Sequence, residues 1–393
     1  MRFNGAMQAT LILKPGRERA LINRHPWIYS GAIKKLSPDI ADGDVVQVVD
    51  SEERLLAFGH YMAGASICCR VFHFSQRAVV LDKEFWLAKM QQALEYRRSL
   101  GLLDNSRGSA FRLFFSEGDE LPGLVCDIFE DIAVLQLRTI GMHALKPIIV
   151  EFLQKHLAIK HIFARGEKKA EDEWLLGKKA EVVFNEARVQ LIADIEHGQK
   201  TGFFLDQREN RLLVQQLAAG KTVLNAFSYS GGFSAHALRG GAKKVVSVDI
   251  SSEAIALCER TVALNGFSEP VHQSVIGDCF DYLRDMPSDE YDLIILDPPA
   301  FAKNPASVNK ATRGYKDINL NALRRIRSGG LLFTFSCSHH ISADLFRKVV
   351  FGACADAQRS VRVVQELSQP ADHPVSIYHP EGQYLKGLVL QVI

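Results

Sequence analysis

Several short stretches in the second half of this 393-residue sequence bring together residue types that can do chemistry. The first is Asn225-Ala226-Phe227-Ser228-Tyr229-Ser230-Gly231-Gly232-Phe233-Ser234. Gly231 and Gly232 remove side chains where a cofactor could approach the backbone, and a helix N-terminus beyond them offers free N–H groups. The spacing is not GxGxxG, which argues against a dinucleotide pyrophosphate site; a tight strand–helix turn without a ligand is the other reading. Asp249 closes the apolar run Val245–Val248. An acid there commonly accepts hydrogen bonds from ribose hydroxyls, or it caps a helix, a role open to Ser251 and Ser252 as well. Asp278, in Gly277-Asp278-Cys279-Phe280, could accept from an adenine amino group or cap the helix that follows. Asp297-Pro298-Pro299-Ala300-Phe301 sets an acid before two prolines, a stiff extended backbone that can present a carboxylate and carbonyls to a planar base. Finally, Cys337 lies in Ser336-Cys337-Ser338-His339-His340. Free cysteine is usually a small buried hydrophobe, which suits Cys258 and Cys354. The polar surroundings of Cys337 suit a nucleophile better.

The elements that must position these groups are legible around them. Thr222–Ala226, Lys244–Val248, His272–Ile276, Tyr291–Leu296 and Leu331–Phe335 read as strands, with helices to Arg239 and over 252–264 between them. Near-continuously apolar strands spaced by helices predict a parallel sheet covered on both faces. Ligands of such sheets bind beyond the carboxyl ends of the strands, where all five stretches fall. The fold class is therefore α/β. Upstream, the first eighty residues predict a β-rich module with short runs at Thr10–Leu13, Val45–Val49 and Leu55–Phe58 between turn signals. His25-Pro26-Trp27-Ile28-Tyr29 sets an aromatic cluster beside Arg17, Arg19 and Arg24. A helix is expected over 82–100, paired strands at 124–128 and 132–137, and a helix over 146–157. The charge run 167–173 reads as a solvated loop or helix end.

Composition narrows the class. With 47 basic and 45 acidic residues the chain does not announce a nucleic-acid binder, so any RNA surface must be a local patch. Seven scattered cysteines without CxxC spacing argue against a disulfide framework or a zinc site, and no metal is expected. The first residues carry no long apolar core, and no segment approaches the length of a membrane span. A cytoplasmic protein without a membrane partner is expected.

The ordered series of strand-end groups resembles class I S-adenosylmethionine-dependent methyltransferases. The resemblance implies a Rossmann-like sheet of seven strands with a terminal antiparallel pair. It makes Phe227, Ser228, Tyr229, Gly231, Gly232 and Phe233 the methionine-binding loop, Asp249 the ribose acid, Asp278 with Cys279 the adenine contact, and Asp297-Pro298-Pro299 the catalytic loop. Cys337 then sharpens the reaction. Carbon 5 of a pyrimidine is not nucleophilic until a thiolate adds to carbon 6, and cysteine serves as both nucleophile and leaving group. Asp297 could hold the base through N3 and donate a proton as charge develops. Methylating an exocyclic amine needs no thiol.

Over its whole length the sequence is similar to bacterial 23S ribosomal RNA cytosine-C5 methyltransferases with an N-terminal PUA domain. The matching stretches are 25–32, Leu121-Pro122-Gly123-Leu124, His197-Gly198-Gln199-Lys200-Thr201-Gly202-Phe203-Phe204-Leu205-Asp206-Gln207-Arg208, Gly314-Tyr315-Lys316-Asp317-Ile318-Asn319, Thr334-Phe335-Ser336-Cys337-Ser338, and Ala371-Asp372-His373-Pro374-Val375. His339-His340 departs from the smaller or apolar residues common in that family. The resemblance implies a PUA-like domain over 1–80, a central α+β domain over 81–192 and a methyltransferase domain over 193–393. It implies Gln207 and Arg211 as further cofactor contacts, S-adenosylmethionine as cofactor with S-adenosylhomocysteine as product, and 23S ribosomal RNA as partner; a homodimer stays open. Pro298, Pro299, Lys303, Arg313, Lys316, Arg17 and Arg24 are expected to meet the RNA, with 303–316 a long loop over the substrate. Two rival readings remain: an amino-group methyltransferase on guanine or adenine, and an inactive RNA-binding module that kept the fold.

Overall fold

The computed structural model describes residues 9–104, 108–166 and 168–393. Residues 1–8 of the N-terminal reading and Glu167 of the charge run lie outside the described residues. The chain forms two compact bodies, one of residues 1–182, 193–202 and 371–382, the other of 183–192, 203–370 and 383–393.

The first body begins with β1 (Ala9–Leu13), α1 (Arg19–Ile22), β2 (Trp27–Tyr29), β3 (Ile33–Leu36), β4 (Val45–Val49), β5 (Leu55–Tyr61) and β6 (Ile67–Phe74), whose strands form one sheet in the order β2-β6-β5-β4-β1-β3. There follow α2 (Lys83–Ser99), β7 (Ala110–Phe115), β8 (Leu124–Phe129), β9 (Ile132–Leu137), α3 (Ile140–His143), α4 (Lys146–Leu157), β10 (His161–Arg165) and β11 (Glu173–Leu176), with a second sheet in the order β11-β10-β9-β8-β7. Helix α2 starts where Asp82 accepts from the Phe85 amide. Phe58 and Phe72 of the first sheet share one core with Trp86 and Met90 of α2 and Leu113 and Leu124 of the second. The first eighty residues and the next hundred are thus packed as one unit.

The aromatic stretch at 25–29 has a structural use there. The Trp27 indole donates to Glu117 Oε1 (2.7 Å), which also takes Arg70 Nη1 (2.6 Å), and the Trp27 ring packs on His379 with centroids 4.5 Å apart. Segment 371–382 is bound in by Asp372, which is fully buried and accepts from the Arg112 amide (3.0 Å). Arg97, also fully buried, donates to the carbonyls of Arg112 and Asp372 (both 2.8 Å) and pairs with Asp119.

The second body takes up the inner residues of the hairpin β12 (Glu181–Glu186) and β13 (Val189–Asp194), then α5 (Arg208–Leu217), β14 (Thr222–Ala226), α6 (Gly232–Arg239), β15 (Lys244–Asp249), α7 (Ser252–Leu264), β16 (His272–Ile276), α8 (Cys279–Asp285), β17 (Leu293–Leu296), α9 (Val308–Arg325), β18 (Leu331–Ser336), α10 (Ala343–Ala357), β19 (Val361–Ser368) and β20 (Lys386–Val392). Its sheet runs β16-β15-β14-β17-β18-β20-β19. The first five are parallel, whereas β20 pairs antiparallel with both β18 and β19. This is the seven-stranded arrangement expected from the sequence. The expected long loop over 303–316 is not found. Asn304 accepts from the Ser307 amide with Pro305 at the first helical position, and the chain enters α9 directly. Ala311, Tyr315, Ile318 and Ala322 then recur at helical spacing on its buried face. Lys310, Arg313 and Lys316 therefore stand on a helix. Among the described residues no helix is long and apolar enough to cross a membrane.

Arg97→Ala removes the partner of a carboxylate that is only 5% exposed and is expected to cost about 3–5 kcal/mol. The check is the free energy of urea unfolding, compared with a surface change such as Arg98→Ala.

Candidate active site at the strand exits

Parallel pairing of β14 to β18 ends five strands along one edge of the second body's sheet, so the groups just past each strand are gathered there. Beyond β14, Phe227 (φ 61°), Tyr229 (φ 46°) and Gly231 (φ 76°) all take left-handed backbone. For the two aromatic residues this costs about 1–3 kcal/mol each and persists only where neighbours enforce it. The neighbours are identifiable. The Phe227 amide donates to Cys279 Sγ (3.2 Å), the Ser228 amide to the Val248 carbonyl (3.0 Å), and the Tyr229 amide to Asp249 Oδ2 (2.9 Å). Gly231 is required by packing as well as by φ, since a Cβ there would lie 2.4 Å from Cys258 Sγ.

The strand-end acids have resolved roles in the fold. Asp249 holds the loop through Oδ2 and accepts from the Ser251 amide through Oδ1 (3.0 Å), while Ser251 itself caps α7. Asp278 caps α8, taking the Phe280 amide at 2.7 Å on Oδ1. The Cys279 thiol is turned into the core, where burial pushes it up to about 12. Asp297 is half-buried and accepts from Gln207 Nε2 (3.0 Å), whose Oε1 is in turn held by Asn210 Nδ2 (2.6 Å). Gln207 thus bears on the Asp-Pro-Pro acid directly.

Arg211 is held within the fold. Its Nε and Nη2 bind both oxygens of Glu186 (2.6 Å each), its Nη1 donates to the Phe204 carbonyl (2.8 Å), and it is 2% exposed. The His236 ring adds a third contact to Glu186 at 3.0 Å. Burial alone would raise the Glu186 carboxyl, but Arg211 and His236 outweigh it and hold the group well below the usual carboxylate range. This buried cluster lies under Gly232 at the start of α6, where an added Cβ would lie 3.1 Å from Arg211 Cδ. No motif in the sequence singled out Glu186 or His236; the hairpin and α6 bring them together.

Cys337 follows β18, the parallel neighbour of β17, and its Sγ lies 4.0 Å from the Pro298 carbonyl oxygen. The thiol and the Asp-Pro-Pro loop therefore share the same edge of the sheet. Burial raises the thiols of Cys68, Cys69, Cys126, Cys258, Cys279 and Cys354. Ser338, next to Cys337, is fully buried, shares a hydrogen bond with the Tyr315 hydroxyl (3.0 Å) and accepts from the Ala302 amide (3.2 Å). His339 and His340 are exposed, and the His339 ring lies 5.7 Å from that of Tyr384.

Can this edge hold the expected cofactor? The Ser228 hydroxyl is buried and has no partner among the described residues, α6 has no side-chain cap, and acids stand past β15 and β16. An unanswered buried hydroxyl, open helix amides and two carboxylates match an amino acid joined to a nucleoside. Of the residues expected to meet RNA, Pro299, Lys303 and Arg313 are exposed, Pro298 is buried, and Lys316 pairs with Asp356 (2.7 Å). Arg17 and Arg24 belong to the first body, where Arg24 lies over the rings of Phe74 (5.3 Å) and Tyr378 (5.7 Å). Arg17 lines a hollow of about 250 Å³ with Leu21, Trp27 and Tyr29.

Comparison with known proteins gives the same picture. A family model described as S-adenosylmethionine-dependent methyltransferase matches residues 128–388, and one described as a PUA-like domain matches 11–74. The chain is 40% identical to the Ribosomal RNA large subunit methyltransferase I of Alteromonas mediterranea, covering 98% of this chain and 99% of the relative. The same-named protein of Aeromonas hydrophila is 37% identical over 98% of this chain and 100% of its own. A crystal structure of a methyltransferase complexed with SAH superposes with a TM-score of 0.85 at 23% identity, covering 98% of this chain and 100% of that one, a likeness of fold. A SAM-dependent methyltransferase from Streptococcus mutans does so at 0.84 and 22%, with the same coverage.

Glu186→Gln is expected to cost about 3–5 kcal/mol at neutral pH. Because the folded carboxyl is depressed, the wild-type advantage is fully present above about pH 4.3 and shrinks as pH falls below it. Urea unfolding of both proteins across pH 3–7 checks the sign. Gly231→Ala is expected to weaken S-adenosylhomocysteine binding by about tenfold or more, because rearranging the strained loop costs about 1.4 kcal/mol or more; calorimetric titration measures it.

Proposed function

The chain belongs to the S-adenosylmethionine-dependent methyltransferases, and from that premise we propose that it methylates carbon 5 of a cytosine in large-subunit ribosomal RNA. The substrate class follows its full-length relatives, named for the large-subunit ribosomal RNA, and the PUA-like match over 11–74. Such a substrate puts the enzyme in the cytoplasm. The observation that carries the chemistry is the Cys337 sulfur 4.0 Å from the Pro298 carbonyl, on the edge where Asp297 stands.

In this reading S-adenosylmethionine supplies an electrophilic methyl group. Phe227, Ser228, Tyr229, Gly231, Gly232 and Phe233 cradle its amino-acid end, Asp249 takes the ribose, and Asp278 with the backbone at Cys279 meets the adenine. Gln207 and Arg211 act one step back, through Asp297 and through the floor of the glycine loop. The Cys337 thiolate bonds to carbon 6 of the cytosine, and the ring electrons move toward carbon 5 and N3, where Asp297, as the protonated carboxylic acid, donates a hydrogen bond. Carbon 5 would take the methyl group as its bond to the sulfonium sulfur breaks, with S-adenosylhomocysteine leaving. Loss of its proton to a base then restores the 5,6 double bond as the C–S bond breaks and the thiolate returns. Pro298 and Pro299 stiffen the loop against the base, Lys303 and Arg313 meet phosphates, and Arg17 and Arg24 offer the PUA-like module's own basic contacts. The target must be presented unstacked.

Cys337→Ala is expected to lower methyl transfer to naked 23S RNA by about 10³-fold or more, and Asp297→Asn by about 10²–10³-fold. Mass spectrometry of the product nucleosides reads both rate and position. A methyl group on an exocyclic nitrogen, with Cys337→Ala fully active, overturns the proposal in favour of amino-group chemistry. Failure to bind S-adenosylmethionine or transfer methyl at all leaves an RNA-binding module instead.

A further inference from the structure

A lysine that no motif predicted holds the loop that carries the thiol. Lys386 opens β20 and is the antiparallel partner of Ser336, the last residue of β18. Its side chain is only partly exposed, and its Nζ donates to the carbonyls of Ser338 and Ile341, both at 2.6 Å. These oxygens lie one and four residues past Cys337, so one ammonium grips the start and the end of the exit loop. The loop is gripped a second time at Ser338 Oγ by the Tyr315 hydroxyl and the Ala302 amide. A helix cap or a hydrated turn would satisfy two carbonyls with neutral donors. A half-buried cation is a costly way to do so.

We propose that Lys386 is a positioning residue for Cys337, fixing the 337–341 loop against the Asp-Pro-Pro edge and stabilising the thiolate by its charge. The proposal rests on the reading of Cys337 as nucleophile. Its electrostatic half has a counterpart on the lysine: burial lowers the ammonium to about 8, while Cys337 pulls it back up. Interaction between the two groups is mutual, so the cation that feels the sulfur also favours its ionised form. The other titratable and charged groups around this loop are Asp297 past β17, Tyr315 on α9, His339 and His340 in the loop, and Tyr384 ahead of β20 with its partner Asp206 (2.6 Å). In the RNA-free protein an ionised Asp297 opposes thiolate formation, and the Lys386 ammonium acts in the opposite sense.

The test follows alkylation of Cys337 by iodoacetamide against pH in the full-length protein without RNA, resolved by peptide mass spectrometry. In the wild type the inflection is expected below that of the same cysteine in the urea-unfolded chain. Lys386→Gln keeps an amide donor and removes the charge; it is expected to raise the inflection and slow alkylation at pH 7 by about tenfold, one unit's worth. Lys386→Arg should restore the wild-type profile. A native inflection at or above the unfolded one overturns the proposal even if Lys386→Gln does not fold, and so does a folded Lys386→Gln protein with an unchanged profile. The readout needs no methyl transfer, so it is separable from the nucleophile assignment. A shifted profile beside a fully active Cys337→Ala enzyme would keep the lysine–thiol coupling and discard the covalent mechanism.

Discussion

The parallel pairing of β17 with β18 is the constraint on which the active edge depends. It aligns Leu296 with Thr334, two residues before β18 ends, and the Cys337 sulfur comes to 4.0 Å from the Pro298 carbonyl. A register slip by one residue would turn the strand's side chains to the opposite face. Both strands are buried on their two sides: Ile294, Ile295, Leu332 and Phe333 are all fully covered.

Around that edge each reactive group is held by something outside its own stretch of chain. Gln207 holds Asp297, and Tyr229 fastens Asp249 to the glycine loop. Glu186 occupies Arg211 beneath the same loop. The strained conformations of Phe227 and Tyr229 are stabilised by these bonds, so the fold's own contacts set the loop geometry. Preorganisation of this kind favours a site that must align a methyl donor with a ring carbon, because little ordering is left for the bound state.

The first body shows how a sequence signal can have two uses. His25-Pro26-Trp27-Ile28-Tyr29 was notable for aromatic rings beside arginines, a composition suited to RNA. Trp27 is in fact anchored to Glu117 and His379 as part of the internal joint, whereas Tyr29 and Arg17 remain at the surface hollow. The conspicuous Ala371-Asp372-His373-Pro374-Val375 stretch serves that joint too, through the buried Asp372 carboxylate.

By itself the sequence determined what local rules govern: the five parallel strands from their apolar runs, helices 83–99, 146–157 and 252–264 from periodicity and caps, and the order of polar groups at the strand exits. Even the misread stretch after the two prolines carried its helix signal, in Asn304-Pro305 and the spacing of Ala311, Tyr315 and Ile318. Only the tertiary structure decided which far-apart residues meet: Lys386 with the loop after Cys337, Gln207 with Asp297, Glu186 with Arg211 and His236. Those meetings depend on strand order, on the antiparallel return of β20 and on the hairpin at 181–194. No short-range pattern encodes them, because a lysine at a strand start reads the same whether water or a loop carbonyl faces it.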